Sequence, residues 1–537
     1  MNPLSGNDAA TSAAAGSDTN RDPAPTGISQ AVLLCALLAG SCFLAVYVRV
    51  HGSHPADDAF IFARVARSWL DTGYPYYNEG ERLMGHSSHL WLLLMTALFR
   101  ALGPGLPAMK VLSAASVILA FLLLTRLLAR SYRTPWVAVA VAWAVIVLFV
   151  APDAAEIMEA PLAVAMMLGA FISLDAGHDA LFGLFSGLAF LTRYEMLALL
   201  VGGLLFAKHR GRYLMGAAGP CVVFTLFVVH YFNTLIPQPA LAKRLVYVNG
   251  AAQMLAEFRF PFQAPGMVHN ETLAVVAIVM GLSALHYARR RANSAPRWPL
   301  LAITVAFAQV AAQFENNAVM AHWYWPPILV PMVLGVLALP SPIPRVALAT
   351  LLLLSLSPFL TAGTMAAWGL VTNRPDLNPE LAVNRRVDQY LSLGRHLHET
   401  HGQATLLTSE IGGLGWGFYP GHIEDAAGLV SKDIFALYQH EPPHRSLAGI
   451  GITVRTVEQT RPDLIVSLTC FTGDLRPAIA AGKLPYNLVE QWPAVQTEDQ
   501  AEGLPATVFG SRWLQVFARS GGSAEPGVPG ISSSRQP

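Results

Sequence analysis

Two adjacent carboxylates, Asp57 and Asp58, head a polar loop that follows the first apolar block of the chain. Such a pair near a membrane surface can take a proton from a hydroxyl or hold a divalent cation. Asp also favours the first turn of a helix, so simple capping is the structural alternative. Arg64 and Arg67 follow at i+7 and i+10 from Asp57. Those offsets put Asp57, Phe60 and Arg64 roughly on one helical stripe. The rest of the loop is rich in Tyr and interrupted by Gly73, Gly80 and Gly85, and it carries Glu79, Glu81, Arg82, His86 and His89. A loop of that make-up suits a polar ligand better than simple linkage.

Further candidates sit at the ends of apolar runs. Glu159 opens the apolar stretch APLAVAMM, and a carboxylate there should face a bundle or cavity, since lipid would penalise it. Arg193 and Glu195 interrupt LAFLTRYEMLALL two residues apart, so they would not face each other on a continuous helix. A break between two short helices fits better; a structural ion pair with another helix is the competing reading. Lys243 and Arg244 offer two cations that could neutralise a lipid phosphate, or could simply be solvated. His322 lies in the cluster His322-Trp323-Tyr324-Trp325, where an interfacial aromatic belt accounts for the Trp and Tyr residues without further function. No phosphate-binding GxxxxGK[ST], dinucleotide GxGxxG or zinc HExxH pattern is present.

The elements that must position these residues are mostly apolar helices. Hydrophobic residues make up 53% of the 537, and charged ones only 13%, about half the share usual in a soluble domain. Net charge near +1 gives no sign of nucleic-acid binding. Apolar runs at 30–49, 107–129, 135–151, 157–174, 178–193, 195–208, 216–232, 272–288, 298–313, 324–340 and 346–369 predict about eleven transmembrane helices. The run 89–102 is short and reads as a non-spanning helix near the interface. With the N-terminus inside, the basic gaps Arg130/Arg133, Lys208/Arg210/Arg212, Arg289–Arg291/Arg297 and Arg345 all fall on the cytoplasmic side. The first loop, 50–106, then faces outward with residues 370 onward.

The ends are different. Residues 1–29 and 520–537 have the composition of disordered tails, and no basic region precedes the first apolar run, which argues against a cleaved signal peptide. Cys35, Cys42, Cys221 and Cys470 imply neither a disulfide framework nor a zinc site. Residues 370–519 predict a soluble mixed α/β domain, with an amphipathic helix over 380–400 and strands in ATLLTSE and PDLIVSL. Gly412, Gly413, Gly415 and Gly417 read as a pliable turn that could line a groove or be purely structural.

Several of these segments, in order, resemble a known family. Ala56-Asp57-Asp58-Ala59-Phe60-Ile61, Asn78-Glu79-Gly80-Glu81-Arg82, Gly85 and Leu90-Trp91 resemble polytopic membrane glycosyltransferases of the GT-C fold. The likeness is to the branch containing mycobacterial terminal arabinofuranosyltransferases. Glu159 with Pro161-Leu162, Thr192 to Glu195, Pro237 to Lys243, Glu410 to Gly415 and Asp425 with Gly428-Leu429 follow in the same order. Glu79, Met84, Tyr194 and Gln238 depart from the family's pattern, which bears on sugar and acceptor identity.

The resemblance implies a multi-pass protein of the bacterial inner membrane whose active site and C-terminal domain are periplasmic. It implies transfer of a sugar, arabinofuranose-like in that branch, from a polyprenyl-phosphate donor to a glycan, lipid or protein acceptor of the cell envelope, and membrane lipids as partners. Asp58 or Asp57 would be the base, with Glu159 a further catalytic carboxylate. Lys243 and Arg193 would hold the donor phosphate, with Glu195, Arg64, Glu81, Arg82, His86 and His322 as further donor- or acceptor-binding candidates. Family members differ in metal use, so Mg2+, Mn2+ or Ca2+ at Asp57 and Asp58 stays open. A transporter or flippase of a lipid-linked sugar is the main rival, and a non-catalytic scaffold the second.

Overall fold

The computed structural model describes residues 27–130, 135–246, 297–316, 324–338, 384–440, 451–495 and 511–521. The expected spans 272–288 and 346–369, and His322, lie outside the described residues. Three described helices are long and apolar enough to cross a membrane: Gln30–His51, Leu106–Ala129 and Arg210–Phe232. Seven shorter apolar helices accompany them. Leu106–Ala129 starts with Pro107, whose fixed φ suits a first turn, and its 24 residues give a rise of about 36 Å. It is packed inside the bundle. Helix Arg210–Phe232 instead turns Met215, Val223 and Leu226 outward at 73%, 70% and 65% exposure. An apolar face that open belongs against lipid tails.

Two of the uncertain stretches resolve simply. Residues 178–208 form two helices, Asp179–Thr192 and Leu197–Phe206, separated by an extended Arg193 (φ −151°, ψ 131°) and a single 3-10 turn, Tyr194–Met196. His89–Leu102 is a 14-residue helix that buries His89, Trp91, Leu92, Met95 and Phe99 along one side. At about 21 Å it is short for a 30 Å hydrocarbon core.

The C-terminal part carries a five-stranded sheet. Its strands are β1 (Leu406–Thr408), β2 (Ile423–Asp425), β3 (Leu464–Leu468), β4 (Tyr486–Pro493) and β5 (Trp513–Arg519). The order is β2-β1-β3-β5-β4, parallel from β2 to β3 and antiparallel from β3 to β4. Helix Arg386–His401 buries Val387, Tyr390, Leu393 and Leu397, a helical repeat that packs one face onto the core. The apolar core runs without interruption from the membrane helices into Val387, Leu406 and Leu464.

A dense set of polar contacts joins the first loop to this domain. Arg64 is fully buried. Its guanidinium donates to the carbonyls of Tyr77 (2.9 Å), Gly421 (2.6 Å) and Gly415. Tyr77 Oη donates to the Ile411 carbonyl at 2.5 Å, and the Asn78 side chain exchanges hydrogen bonds with both backbone groups of Ile423. The glycine-rich segment 412–417 is thereby a packing joint. A Cβ at Gly412 would collide with the Asp57 backbone, and one at Gly415 with the Tyr77 hydroxyl. Of the two readings of those glycines, the structural one fits: two elements approach there too closely for side chains.

Candidate active site

Five residues far apart in sequence meet at one end of the bundle. Asp58 stands in the first turn of helix Asp57–Thr72. Glu159 precedes helix Ala160–Asp175, where the positive end of the helix favours a carboxylate. Arg193 occupies the break between two helices, and Lys243 lies on the amphipathic helix Gln238–Val246. Tyr324 comes just before helix Pro326–Leu337.

Arg193 Nη1 donates to Glu159 Oε1 at 2.6 Å, and its Nε lies 3.5 Å from Glu195 Oε2. Its guanidinium carbon sits 4.5 Å from the centroid of the Tyr324 ring. Lys243 Nζ donates to Tyr324 Oη at 3.5 Å. Burial works against the Lys243 charge, but the Tyr324 phenol and Asp58 outweigh it and hold the ammonium above its ordinary value. Asp58 acts electrostatically on Lys243, Glu159 and Glu410 alike. Among the described residues it makes no hydrogen bond or ion pair, so both of its oxygens are available. The break at Arg193 has a clear use. An extended residue between helices can aim its side chain across the bundle toward both Glu159 and Tyr324, which a helical residue in that apolar run could not.

Asp57 requires a correction. Its Oδ2 accepts from the Gly412 N–H at 2.9 Å and its Oδ1 from the Gly413 N–H at 2.7 Å. It is 7% exposed. Both oxygens are committed to the domain joint, so the adjacent pair does not work as two equivalent carboxylates. Among the described residues no group of three His, Cys, Asp or Glu side chains is placed to hold an ion. An Asp58 beside an ammonium, with its neighbour capped by backbone N–H groups, does not fit the oxygen-rich shell of Mg2+, Mn2+ or Ca2+.

Glu410 and Arg386, on the C-terminal domain, complete the floor of the site. Their charged ends lie 3.9 Å apart, and both are about nine-tenths buried. Burial first, then the nearby Asp57 and Asp58, push the Glu410 carboxyl up to about 8 against the pull of Arg386. The sign of the linkage follows. A proton kept to about 8 in the fold but lost near 4.5 in the open chain contributes stability that is fully present below 4.5. That contribution is lost as pH rises through 8. Glu410→Gln is therefore expected to flatten the fall in thermal stability between about pH 4.5 and 8, measured in one detergent. An unchanged slope would refute this protonation assignment.

The other candidates fall elsewhere. Arg64 spends its donors on the domain joint, which corrects its assignment to ligand binding. Glu81 accepts from Asn78 Nδ2 at 3.2 Å and lies 3.8 Å from His422 Nε2, on the side of the joint turned toward the sheet. Arg82 lies over the Tyr231 ring, 5.6 Å from its centroid. Neither is gathered to Asp58. His86 forms a buried chain: its Nε2 is 3.1 Å from His89 Nδ1, and His89 Nε2 is 2.5 Å from Tyr194 Oη. Burial lowers His86 to about 3, which favours the neutral ring, and among the described residues its Nδ1 has no partner. That chain ends one residue from Arg193. Tyr324, Glu410 and Arg386 are the residues sequence reading did not assign. The first was hidden among belt aromatics, Glu410 was noted only as the start of a family-like segment with no role given to it, and Arg386 had no local pattern to mark it.

The chain matches no protein-family profile and no curated protein. Two solved structures align with it, both of ArnT from Cupriavidus metallidurans. The crystal structure bound to undecaprenyl phosphate is 12% identical, covers 94% of this chain and 100% of its own, and has a TM-score of 0.49. The apo crystal structure is 12% identical over 91% and 97%, with a TM-score of 0.34. At that identity and those scores, neither decides a residue's role or a substrate here.

Proposed function

We propose that this chain is a membrane glycosyltransferase that moves a sugar from a polyprenyl-phosphate donor to a cell-envelope glycan, lipid or protein at the outer face of the inner membrane. The observation that supports the reading is an Asp58 with no hydrogen bond or ion pair among the described residues, acting electrostatically on the half-buried Lys243, which shares the Tyr324 ring with the buried Arg193. The acceptor oxygen would attack the anomeric carbon while Asp58 takes the hydroxyl proton. The bond from that carbon to the phosphate oxygen breaks, and polyprenyl phosphate leaves with one more negative charge than the bound phosphodiester carried. Fixed cations stabilise that added charge more in the transition state than in the ground state. Glu159 and Glu195 hold the Arg193 guanidinium in place for this role. The sugar proposed is arabinofuranose-like, by the family resemblance alone.

Purified protein in detergent, offered radiolabelled polyprenyl-phosphate sugars and acceptor, tests the reading. Turnover without any gradient is the expected result. Binding or movement of the lipid-linked sugar in vesicles, with no transfer under any condition, would favour the transporter instead. Lys243→Ala is expected to raise the donor KM by about tenfold or more, the loss of a half-buried cation beside a phosphate. Wild-type kinetics at sub-saturating donor would remove Lys243 from the site.

A further inference from the structure

One cavity lies away from Asp58. It holds about 580 Å³ and is lined by Leu205, Phe206, Lys208, Arg297, Leu300 and Thr304, among others. Its place in the bundle follows from helix directions. Helix Leu197–Phe206 leaves the Arg193 break and reaches the cavity about 15 Å further on. Helix Trp298–Asn316 begins at the cavity. Toward its other end Gln309 Nε2 donates to the Pro327 carbonyl at 3.1 Å, close to Tyr324. The cavity therefore opens at the face of the bundle opposite the candidate active site.

Its chemistry is divided. Leu205 is 72% exposed and, with Leu300, gives an apolar wall continuous with the outside of the helices. Lys208 and Arg297 supply two cations at the rim, and among the described residues none that lines it is acidic. A neighbouring carboxylate, Asp179, is already engaged: it accepts from the Lys208 and His209 N–H groups and pairs with His209 Nδ1 at 2.8 Å. Arg297 donates to the Phe206 carbonyl at 3.4 Å, which serves the helix end and uses one of its five donors. The Lys208 ammonium makes no hydrogen bond or ion pair among the described residues. Two cations above an apolar wall at a membrane face match one kind of molecule, an amphiphile with an anionic head.

We infer that this cavity binds an anionic phospholipid, its phosphate between Lys208 and Arg297 and an acyl chain along Leu205 and Leu300. The inference does not depend on the reaction proposed for the other end of the bundle. The test uses the full chain in nanodiscs of phosphatidylcholine with increasing phosphatidylglycerol, reading co-purified lipid by mass spectrometry and thermal stability in parallel. Wild type should retain phosphatidylglycerol over phosphatidylcholine by at least about tenfold, with a saturable rise in Tm. Lys208→Gln/Arg297→Gln should lose both responses. Lys208→Gln alone, at an exposed position, should weaken them if the double variant does not fold. Thr304→Trp, which fills the cavity and keeps both cations, should lose them too. Arg212→Gln removes an equal charge from the same face outside the cavity and should keep them. Wild-type retention in Lys208→Gln and Thr304→Trp, an equal loss in Arg212→Gln, or full displacement of the lipid by millimolar inorganic phosphate would each overturn the inference.

Discussion

Asp58→Asn is expected to reduce transfer by about 10²–10⁴-fold, to background in most assays, while leaving fold and donor affinity near wild type. The acceptor hydroxyl is a poor nucleophile until its proton is taken. Asp58 is the carboxylate beside Lys243 with both oxygens uncommitted, whereas Asp57 is bound by Gly412 and Gly413, and Glu159 by Arg193. Asn keeps the volume and can hydrogen-bond to the same neighbours but cannot accept the proton, so the loss should appear in kcat. Because Asp58 makes no structural hydrogen bond, Tm in the same detergent should hardly move. Asp57→Asn should behave in the opposite way. Its amide nitrogen cannot accept from the Gly412 or Gly413 N–H, so stability should fall along with activity. Wild-type turnover in a well-folded Asp58→Asn protein would end the assignment and shift attention to Glu410.

The second large effect is structural. Arg64→Met should loosen the joint between the first loop and the C-terminal domain by at least about 3 kcal/mol. Methionine fills much of the same space but leaves the carbonyls of Tyr77, Gly415 and Gly421 buried without their donor. Each such orphan costs about 1–3 kcal/mol. The readout is amide hydrogen exchange. The Gly412, Gly413 and Ile423 N–H groups, which donate to Asp57 and Asn78, should exchange about 100-fold faster or more than in wild type. Transfer should fall as well, since that joint helps hold Glu410 and Arg386 against the bundle. Exchange unchanged at those amides would show that Arg64 does not hold the joint together. The outcome separates Arg64 from a ligand-binding residue, whose loss would change KM and leave exchange alone.

The two predictions rest on different kinds of information. The sequence by itself determined what depends on neighbours along the chain. Apolar length marked the helices, and the charged Arg193-Tyr194-Glu195 inside an apolar run marked the break that the structure places there, because ionised groups seldom sit in a continuous apolar helix. Apolar runs marked the strands β1 and β3. Type and position also singled out Asp58, Glu159, Arg193 and Lys243 before anything showed that they meet.

Only the tertiary structure decided how those residues divide the work. Asp57 and Asp58 look equivalent in sequence, yet one is bound by glycine N–H groups more than 350 positions away and the other is left bare. Arg64 resembled a ligand-binding cation until three carbonyls, one from its own loop and two from the C-terminal domain, closed around it. Tyr324 looked like one more belt aromatic until Arg193 and Lys243 came to lie against it. In each case the deciding partner is a backbone group or a ring supplied by another element. A backbone carbonyl or N–H is the same at every residue, so its place in space, which leaves no mark in the residue's own neighbourhood, determines what the side chain does.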